Sequence, residues 1–174
     1  MNWSEILKAE IESTYKTAEG LIDLVDNSEL SWQPTSGKNW MTVGQLLRHL
    51  TDACGAPCKG FVTGDWGMPD GFDPSKLEPE EMLPPAEKLP TIDSVAEAKR
   101  LLVEDKNLAL AMIAKAGEEG LTSRTASAPW DPQQMPLGRR LLQMIAHLAQ
   151  HKAQLFYYLK LQGKPVNTSH LWAG

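Results

Sequence analysis

Apolar residues recur at helical spacing in four separate stretches of the chain, with polar residues between them. The predicted helices cover residues 4–27, 42–59, 94–117 and 137–163. Ser4 and Thr42 are candidate N-caps of the first two helices, and Asp93 or Ser94 caps the third, with Glu97 in capping-box position. No stretch has the β-rich character that a parallel sheet requires. The pattern therefore predicts an all-α fold, a four-helix bundle formed by one domain over residues 1–174.

Several features interrupt the helical pattern. Residues 12–20 of the first helix are polar and are expected to face solvent or a partner, and Pro57 predicts a kink near Cys58. Gly117 or Gly120 ends the third helix. The segment LTSRTASAPWDPQQMP that follows it has extended character at its start and then turns.

Two connectors have the composition of irregular structure. Residues 30–40, LSWQPTSGKNW, contain helix-breaking proline and glycine, and Trp32 and Trp40 are expected to cover the end of the core. Residues 63–92 form a much longer excursion, rich in proline, glycine and acidic residues. A connector of this length is either a functional lid or an ordered surface excursion.

The last predicted helix carries two histidines on its apolar side. Its apolar arc consists of Leu137, Leu141, Met144, Leu148, Leu155 and Leu159. His151 lies within this arc and His147 lies beside it. Two imidazoles four residues apart on a helix can chelate one metal ion. The spacing alone is equally compatible with a pair of histidines at the core edge that neighbouring polar groups satisfy.

A third histidine changes the interpretation of that pair. His49 lies at the margin of the apolar stripe of the second helix, where Ala53 and Ala56 leave room beside it. Facing helices of a bundle can bring such residues together in the core. Three histidine ligands leave coordination positions open, as in a catalytic metal site. Imidazole suits zinc, nickel, copper and iron(II), so the ligand type does not identify the metal.

Composition limits the functional classes. The formal net charge is −5, from 17 basic and 22 acidic residues, which argues against a general nucleic-acid binder. No run of about 18 apolar residues is present, so no membrane span is predicted, and the start of the chain does not resemble a signal peptide. A cytoplasmic location is expected. Cys54 and Cys58 are expected to be reduced, partly buried thiols.

Other polar residues near the candidate ligands have two interpretations each. Asp52, Gln45 and Gln154 lie one helical turn from a proposed ligand, so they either orient an imidazole or are solvated helix residues. His170 is either an ordinary residue of the C-terminal tail or, with Trp172 beside it, part of a segment that folds back over a pocket. No nucleophilic triad motif, phosphate loop or paired-cysteine zinc motif is present.

Three segments together resemble a known family. They are residues 30–34 (LSWQP), 43–50 (VGQLLRHL) and 147–163 (HLAQHKAQLFYYLKLQG). In this order they are similar to the DinB/YfiT-like superfamily of metal-dependent hydrolases and thiol-dependent transferases. The resemblance implies an up-down-down-up four-helix bundle with a divalent metal, zinc or nickel, held by His49, His147 and His151. Gln150 stands where many members carry a further histidine, which changes the polarity of the pocket.

Three functional hypotheses follow. The first is a metal-dependent enzyme that activates water or a low-molecular-weight thiol for hydrolysis or transfer on a small molecule, with a homodimer implied by the resemblance. The second is a non-catalytic bundle that binds a metal or a small ligand. The third is a bundle whose histidines are purely structural. No general base is identifiable from the sequence.

Overall fold

The computed structural model describes residues 2–68 and 84–172, which form a mostly helical fold with a small two-stranded sheet. In chain order the elements are α1 (Trp3–Ile22), α2 (Val43–Leu50), α3 (Gly55–Thr63), α4 (Val95–Ser123), β1 (Thr125–Ala128), β2 (Asp131–Pro136), α5 (Leu137–Leu161) and α6 (Ser169–Trp172). Helix α1 packs against α4 and α5, and α3 packs against the same two helices. The core therefore lies among α1, α3, α4 and α5. None of the described helices is both long and apolar enough to cross a membrane.

Helix α1 begins and ends earlier than its apolar pattern predicts. Asn2, not Ser4, is the N-cap: its side chain accepts a hydrogen bond from the amide of Glu5, whose carboxylate accepts one from the amide of Asn2. Past Ile22 the chain leaves the helix and forms a short 3₁₀ turn, Asn27–Glu29. The polar middle of the helix faces solvent on one side, as expected, through residues 12, 13, 16 and 19, while Tyr15 and two nearby threonines are buried on the other.

The second predicted helix is two helices. Thr42 caps α2, as predicted, and Gln45 completes a capping box with it. The helix is then interrupted after Leu50, and α3 begins at Gly55. Pro57 is the third residue of α3, in the first turn, where a missing amide hydrogen has no consequence. The predicted kink near Cys58 is therefore wrong, since the interruption lies before the proline.

The long excursion after α3 is described only at its ends. Residues 69–83, half of it, lie outside the described residues, so its prediction as a lid or an ordered surface excursion falls partly on them. Its last part contains a 3₁₀ turn, Ala86–Lys88. The side-chain amide of Gln45 donates hydrogen bonds to the carbonyls of Ala86 and Leu89 at this turn.

Helix α4 begins at the predicted N-cap Ser94 and continues past its predicted end. At Gly117 the backbone adopts a φ of 63°, which interrupts the helical geometry, and the helix then resumes to Ser123. Beyond this interruption the Glu118 carboxylate accepts hydrogen bonds from the amides of Trp3 and Ser4 at the start of α1. The second part of α4 thus caps the first helix of the chain.

A short hairpin separates α4 from α5, so the fold is not purely helical. Strand β1 lies in the part of the segment predicted to be extended, and β2, which pairs antiparallel with it, lies where turns were predicted. Arg140, buried in the first turn of α5, binds the hairpin through the carboxylate of Asp131 and the carbonyl of Ala126. This anchoring fixes where α5 begins. The helix ends at Leu161, close to its predicted end. Gly163, just beyond the C-cap, has the left-handed φ of 80° that is common at this position.

Candidate metal centre

Three imidazoles from two helices converge on one point. His49 projects from α2, and His147 and His151 project from successive turns of α5. The Nε2 atom of His49 lies 3.3 Å from that of His147 and 3.1 Å from that of His151. The Nε2 atoms of His147 and His151 are 3.0 Å apart. The structure therefore brings together the three histidines that the sequence singled out as candidate ligands.

The hydrogen bond of His147 fixes which of its nitrogens is free. Its Nδ1 atom lies 3.0 Å from the carbonyl oxygen of Ala53, in the break between α2 and α3. Because a carbonyl can only accept, Nδ1 carries the proton, and Nε2 of the neutral ring presents a lone pair to the cluster. A backbone carbonyl thus orients this imidazole, as is typical of metal-binding histidines.

His151 is oriented by a chain of hydrogen bonds that runs along α5. Its Nδ1 atom lies 3.2 Å from Oε1 of Gln154, whose Nε2 donates to the hydroxyl of Tyr158 at 3.1 Å. The Tyr158 hydroxyl donates in turn to the carbonyl of Met41. Since the Gln154 amide donates toward Tyr158, its oxygen accepts from His151, and Nε2 of His151 is also directed into the cluster as an acceptor.

His49 has a looser environment than the other two rings. A carboxylate oxygen of Asp52 lies 3.8 Å from its Nδ1 atom, beyond hydrogen-bonding distance, and Asp52 pairs with Arg48 instead. Burial raises the pKa of Asp52 to about 6, partly opposed by Arg48. Gln45 does not approach an imidazole, because it caps α2 and bonds to the turn at residues 86–89. Of the three predicted orienting residues, Gln154 alone contacts a ring nitrogen at hydrogen-bonding distance.

The environment of the cluster favours the neutral form of His49 and His151. Burial, together with the neighbouring His151, His147 and Arg48, lowers the pKa of His49 to about 4. Burial and His147 also lower the pKa of His151. Neutral imidazole is the form that binds metal. The His49 side chain remains 31% exposed, so the cluster is reachable from solvent.

The donor set fits a divalent cation. The lone pairs of His147 and His151 face each other with no proton between them, an unfavourable arrangement that a cation at this point would relieve. Nitrogens bound about 2.1 Å from one ion are separated by about 3.0 Å in octahedral and about 3.4 Å in tetrahedral geometry. The three observed separations of 3.0, 3.1 and 3.3 Å span this interval.

A buried carboxylate, which the sequence analysis did not identify, stabilises the interruption between α2 and α3 beside the cluster. Asp105 of α4 accepts hydrogen bonds from the amides of Gly55 and Ala56, the first residues of α3, and from the hydroxyl of Tyr15 at 2.6 Å. Burial raises the pKa of the Asp105 carboxyl, and these hydrogen bonds oppose the rise. A Cβ atom on Gly55 would lie 2.1 Å from the Asp105 carbonyl oxygen, so the close approach requires glycine. Asp105 thereby holds the segment that contains Ala53.

The remaining predicted residues lie outside the cluster. His170 bonds to Asn167 within its own turn and does not join the three imidazoles. Trp172 lines a groove between α1 and α4 and is 77% exposed. Cys54 and Cys58 are free and buried, as predicted, next to the break between α2 and α3. Of the described residues, only His49, His147 and His151 form a group suited to holding a metal ion.

Comparisons with known proteins agree with this arrangement. The family model of the DinB superfamily matches residues 10–155, a range that includes all three histidines. A crystal structure of a protein assigned to the DinB family from Exiguobacterium sibiricum 255-15 is similar, with a TM-score of 0.63 and 19% identity over 98% of each chain. At this identity the likeness shows the fold alone. No curated protein matches the chain.

Proposed function

We propose that this chain, which belongs to the DinB superfamily, binds one divalent metal ion through Nε2 of His49, His147 and His151 and uses it to transform a small molecule. The observation that carries the proposal is the convergence of three imidazole Nε2 atoms within 3.3 Å of one another. Zinc or nickel is the expected ion, since both accept three imidazole ligands. We also propose that the helices form a single-domain, up-down-down-up four-helix bundle, which the packing of α1 and α3 against α4 and α5 supports.

The residues of the chain have distinct roles in this proposal. His49, His147 and His151 bind the ion, while the Ala53 carbonyl and Gln154 hold two of the rings in the binding tautomer. A divalent ion supplies Lewis acidity there: it lowers the pKa of a water or thiol that it coordinates, which makes a nucleophile available near neutral pH. Three protein ligands leave coordination positions for this nucleophile and for a substrate. The reaction class is hydrolysis or thiol transfer.

Metal binding is the first test of the proposal. Protein treated with a chelator and titrated with zinc or nickel in a calorimeter should bind one ion per chain, and elemental analysis should confirm the stoichiometry. The His151→Ala variant should lose this binding and retain its helical circular dichroism. His170→Ala is the matched control and should bind as the wild type does. Equal binding by His151→Ala and wild type, or no uptake by either, would overturn the proposal.

Activity separates an enzyme from a protein that only binds metal. The metal-loaded protein should turn over at least one compound in a panel of esters, amides and electrophiles offered with a low-molecular-weight thiol. Removal of the metal should abolish the turnover, and its return should restore it. Stoichiometric metal binding without turnover of any compound would instead support a non-catalytic metal-binding protein.

A further inference from the structure

An open groove of about 390 Å³ lies on the surface of α5 next to the histidine cluster. Pro34 and Trp40 line it from the connector between α1 and α2, and Tyr157 and Leu161 line it from α5, together with Gln154 and Tyr158. We call it the aromatic groove. Within the described residues no charged side chain lines it, and its accessible surface is almost wholly apolar. A volume of this size suits a small molecule.

Gln154 and Tyr158 connect the aromatic groove to the histidine cluster. Both residues line the groove, and both belong to the hydrogen-bond chain that orients His151. The groove therefore begins at a residue in direct contact with a proposed ligand. Gln154 thus lines the groove and also contacts Nδ1 of His151, whose Nε2 lies in the cluster.

The indole of Trp40 is 40% exposed, and two contacts hold it in place. Its Nε1 donates to the Ser36 carbonyl at 2.6 Å, and its ring lies edge-on to Tyr158 with centroids 6.2 Å apart. The backbone beside it is left-handed at Gly37, with a φ of 88°, and at Asn39, with a φ of 61°. Asparagine adopts this region more readily than most residues, and the Asn39 side chain accepts a hydrogen bond from the amide of Ala86.

We propose that the aromatic groove binds the uncharged aromatic or aliphatic part of a small-molecule substrate, whose reactive group then lies at the histidine cluster. This inference rests on the proposed function and specifies its substrate class. The chemistry of the lining selects such a ligand: Trp40, Tyr157 and Leu161 offer apolar contact area, and a charged group placed there would lose its hydration without gaining a partner.

A pair of metal-binding probes tests the inference. Naphthohydroxamic acid and acetohydroxamic acid share one metal-binding head and differ in their apolar part. On zinc-loaded protein the naphthyl compound should bind about tenfold or more tightly than the acetyl compound, because its ring is buried in the groove. Trp40→Ala and, independently, Tyr157→Ala should reduce this ratio toward one and leave the affinity for acetohydroxamic acid and for zinc unchanged. Trp172→Ala, which removes an exposed tryptophan outside the groove, is the matched control.

Three results would overturn the inference. The first is an equal affinity of the wild type for both hydroxamates. The second is an unchanged ratio in Tyr157→Ala, a variant at a 61% exposed position that should fold normally. The third is a wild-type dimer in sedimentation that Trp40→Ala or Tyr157→Ala converts to a monomer, since the groove would then be an interface between two copies.

The metal proposal and the groove proposal fail separately. If the wild type takes up no metal, the proposed function fails, and the metal-free protein can still be titrated with N-phenylnaphthylamine, a neutral fluorescent probe. Fluorescence enhancement that Tyr157→Ala removes and Trp172→Ala retains would support the groove as an apolar binding site. Enhancement that is equal in all three proteins would contradict it.

Discussion

The Nδ1 atom of His147 lies 3.0 Å from the carbonyl oxygen of Ala53, a residue 94 positions earlier in the chain. This hydrogen bond joins the long helix α5 to the break between α2 and α3. It sets the tautomer of one proposed ligand and fixes its ring relative to His49, which lies in the helix just before the break. The interruption of the helical pattern is therefore part of how the cluster is built.

Removal of the group that orients His151 should weaken metal binding. We expect Gln154→Leu to lower the affinity for zinc by about 10- to 100-fold, because His151 Nδ1 then has no acceptor in its present orientation. Calorimetric titration measures the effect. Gln134→Leu, at an exposed glutamine of the hairpin, should leave the affinity unchanged. Wild-type affinity in Gln154→Leu would show that this hydrogen bond does not contribute.

Loss of the buried carboxylate at the start of α3 should destabilise the fold. Asp105→Ala leaves two backbone amides and the Tyr15 hydroxyl without their acceptor. We expect the free energy of unfolding to fall by about 3 kcal/mol. Urea denaturation followed by circular dichroism measures this change. Glu104→Ala, at the exposed neighbouring position, should change it by no more than about 0.5 kcal/mol.

The cap that Glu118 provides for α1 should make stability depend on pH. Hydrogen bonds from the amides of Ser4 and Trp3 hold the pKa of the Glu118 carboxyl below its usual range. A carboxyl with a lowered pKa in the folded state stabilises the protein above its unfolded pKa, and this contribution is lost as the pH falls through the folded value.

We therefore expect Glu118→Gln to lower the thermal midpoint at pH 7 and to have a much smaller effect at low pH, where the wild-type carboxyl is also protonated. Thermal unfolding of both proteins between pH 3 and pH 7 measures the difference. Glu119→Gln, at the exposed neighbouring position, should follow the wild-type curve. Parallel curves for Glu118→Gln and wild type would exclude a contribution from ionisation of this group.

The two cysteines should be unreactive while the protein is folded. Cys54 and Cys58 are free and fully buried, and a hydrogen bond with Cys54, together with burial, raises the pKa of the Cys58 thiol. A thiol reacts as its thiolate, so both the low exposure and the raised pKa slow the reaction. Ellman's reagent should detect no rapid reaction in native protein and two thiols per chain in denaturant. Fast modification of the native protein would contradict this burial.

The positions of the helices follow largely from local sequence pattern. The apolar periodicity and the N-caps Thr42 and Ser94 predicted where α2 and α4 begin, and the arc of leucines predicted the buried face of α5. These signals depend on residues within a few positions of one another, so the sequence of each helix is enough to predict where that helix begins and which face is buried. The interruption before Gly55 was not predicted, because the groups that stabilise it belong to Asp105, 50 residues away.

The sequence by itself determined the chemistry of the candidate site: three histidines, two of them one helical turn apart, on faces directed toward the core. Only the tertiary structure decided that His49 meets the other two, since that depends on how α2 lies against α5. It also decided that the Ala53 carbonyl orients His147, and this could not be foreseen because every residue carries the same backbone carbonyl. The residue type specifies which bonds a side chain can make, whereas the groups that it contacts depend on how distant parts of the chain pack together.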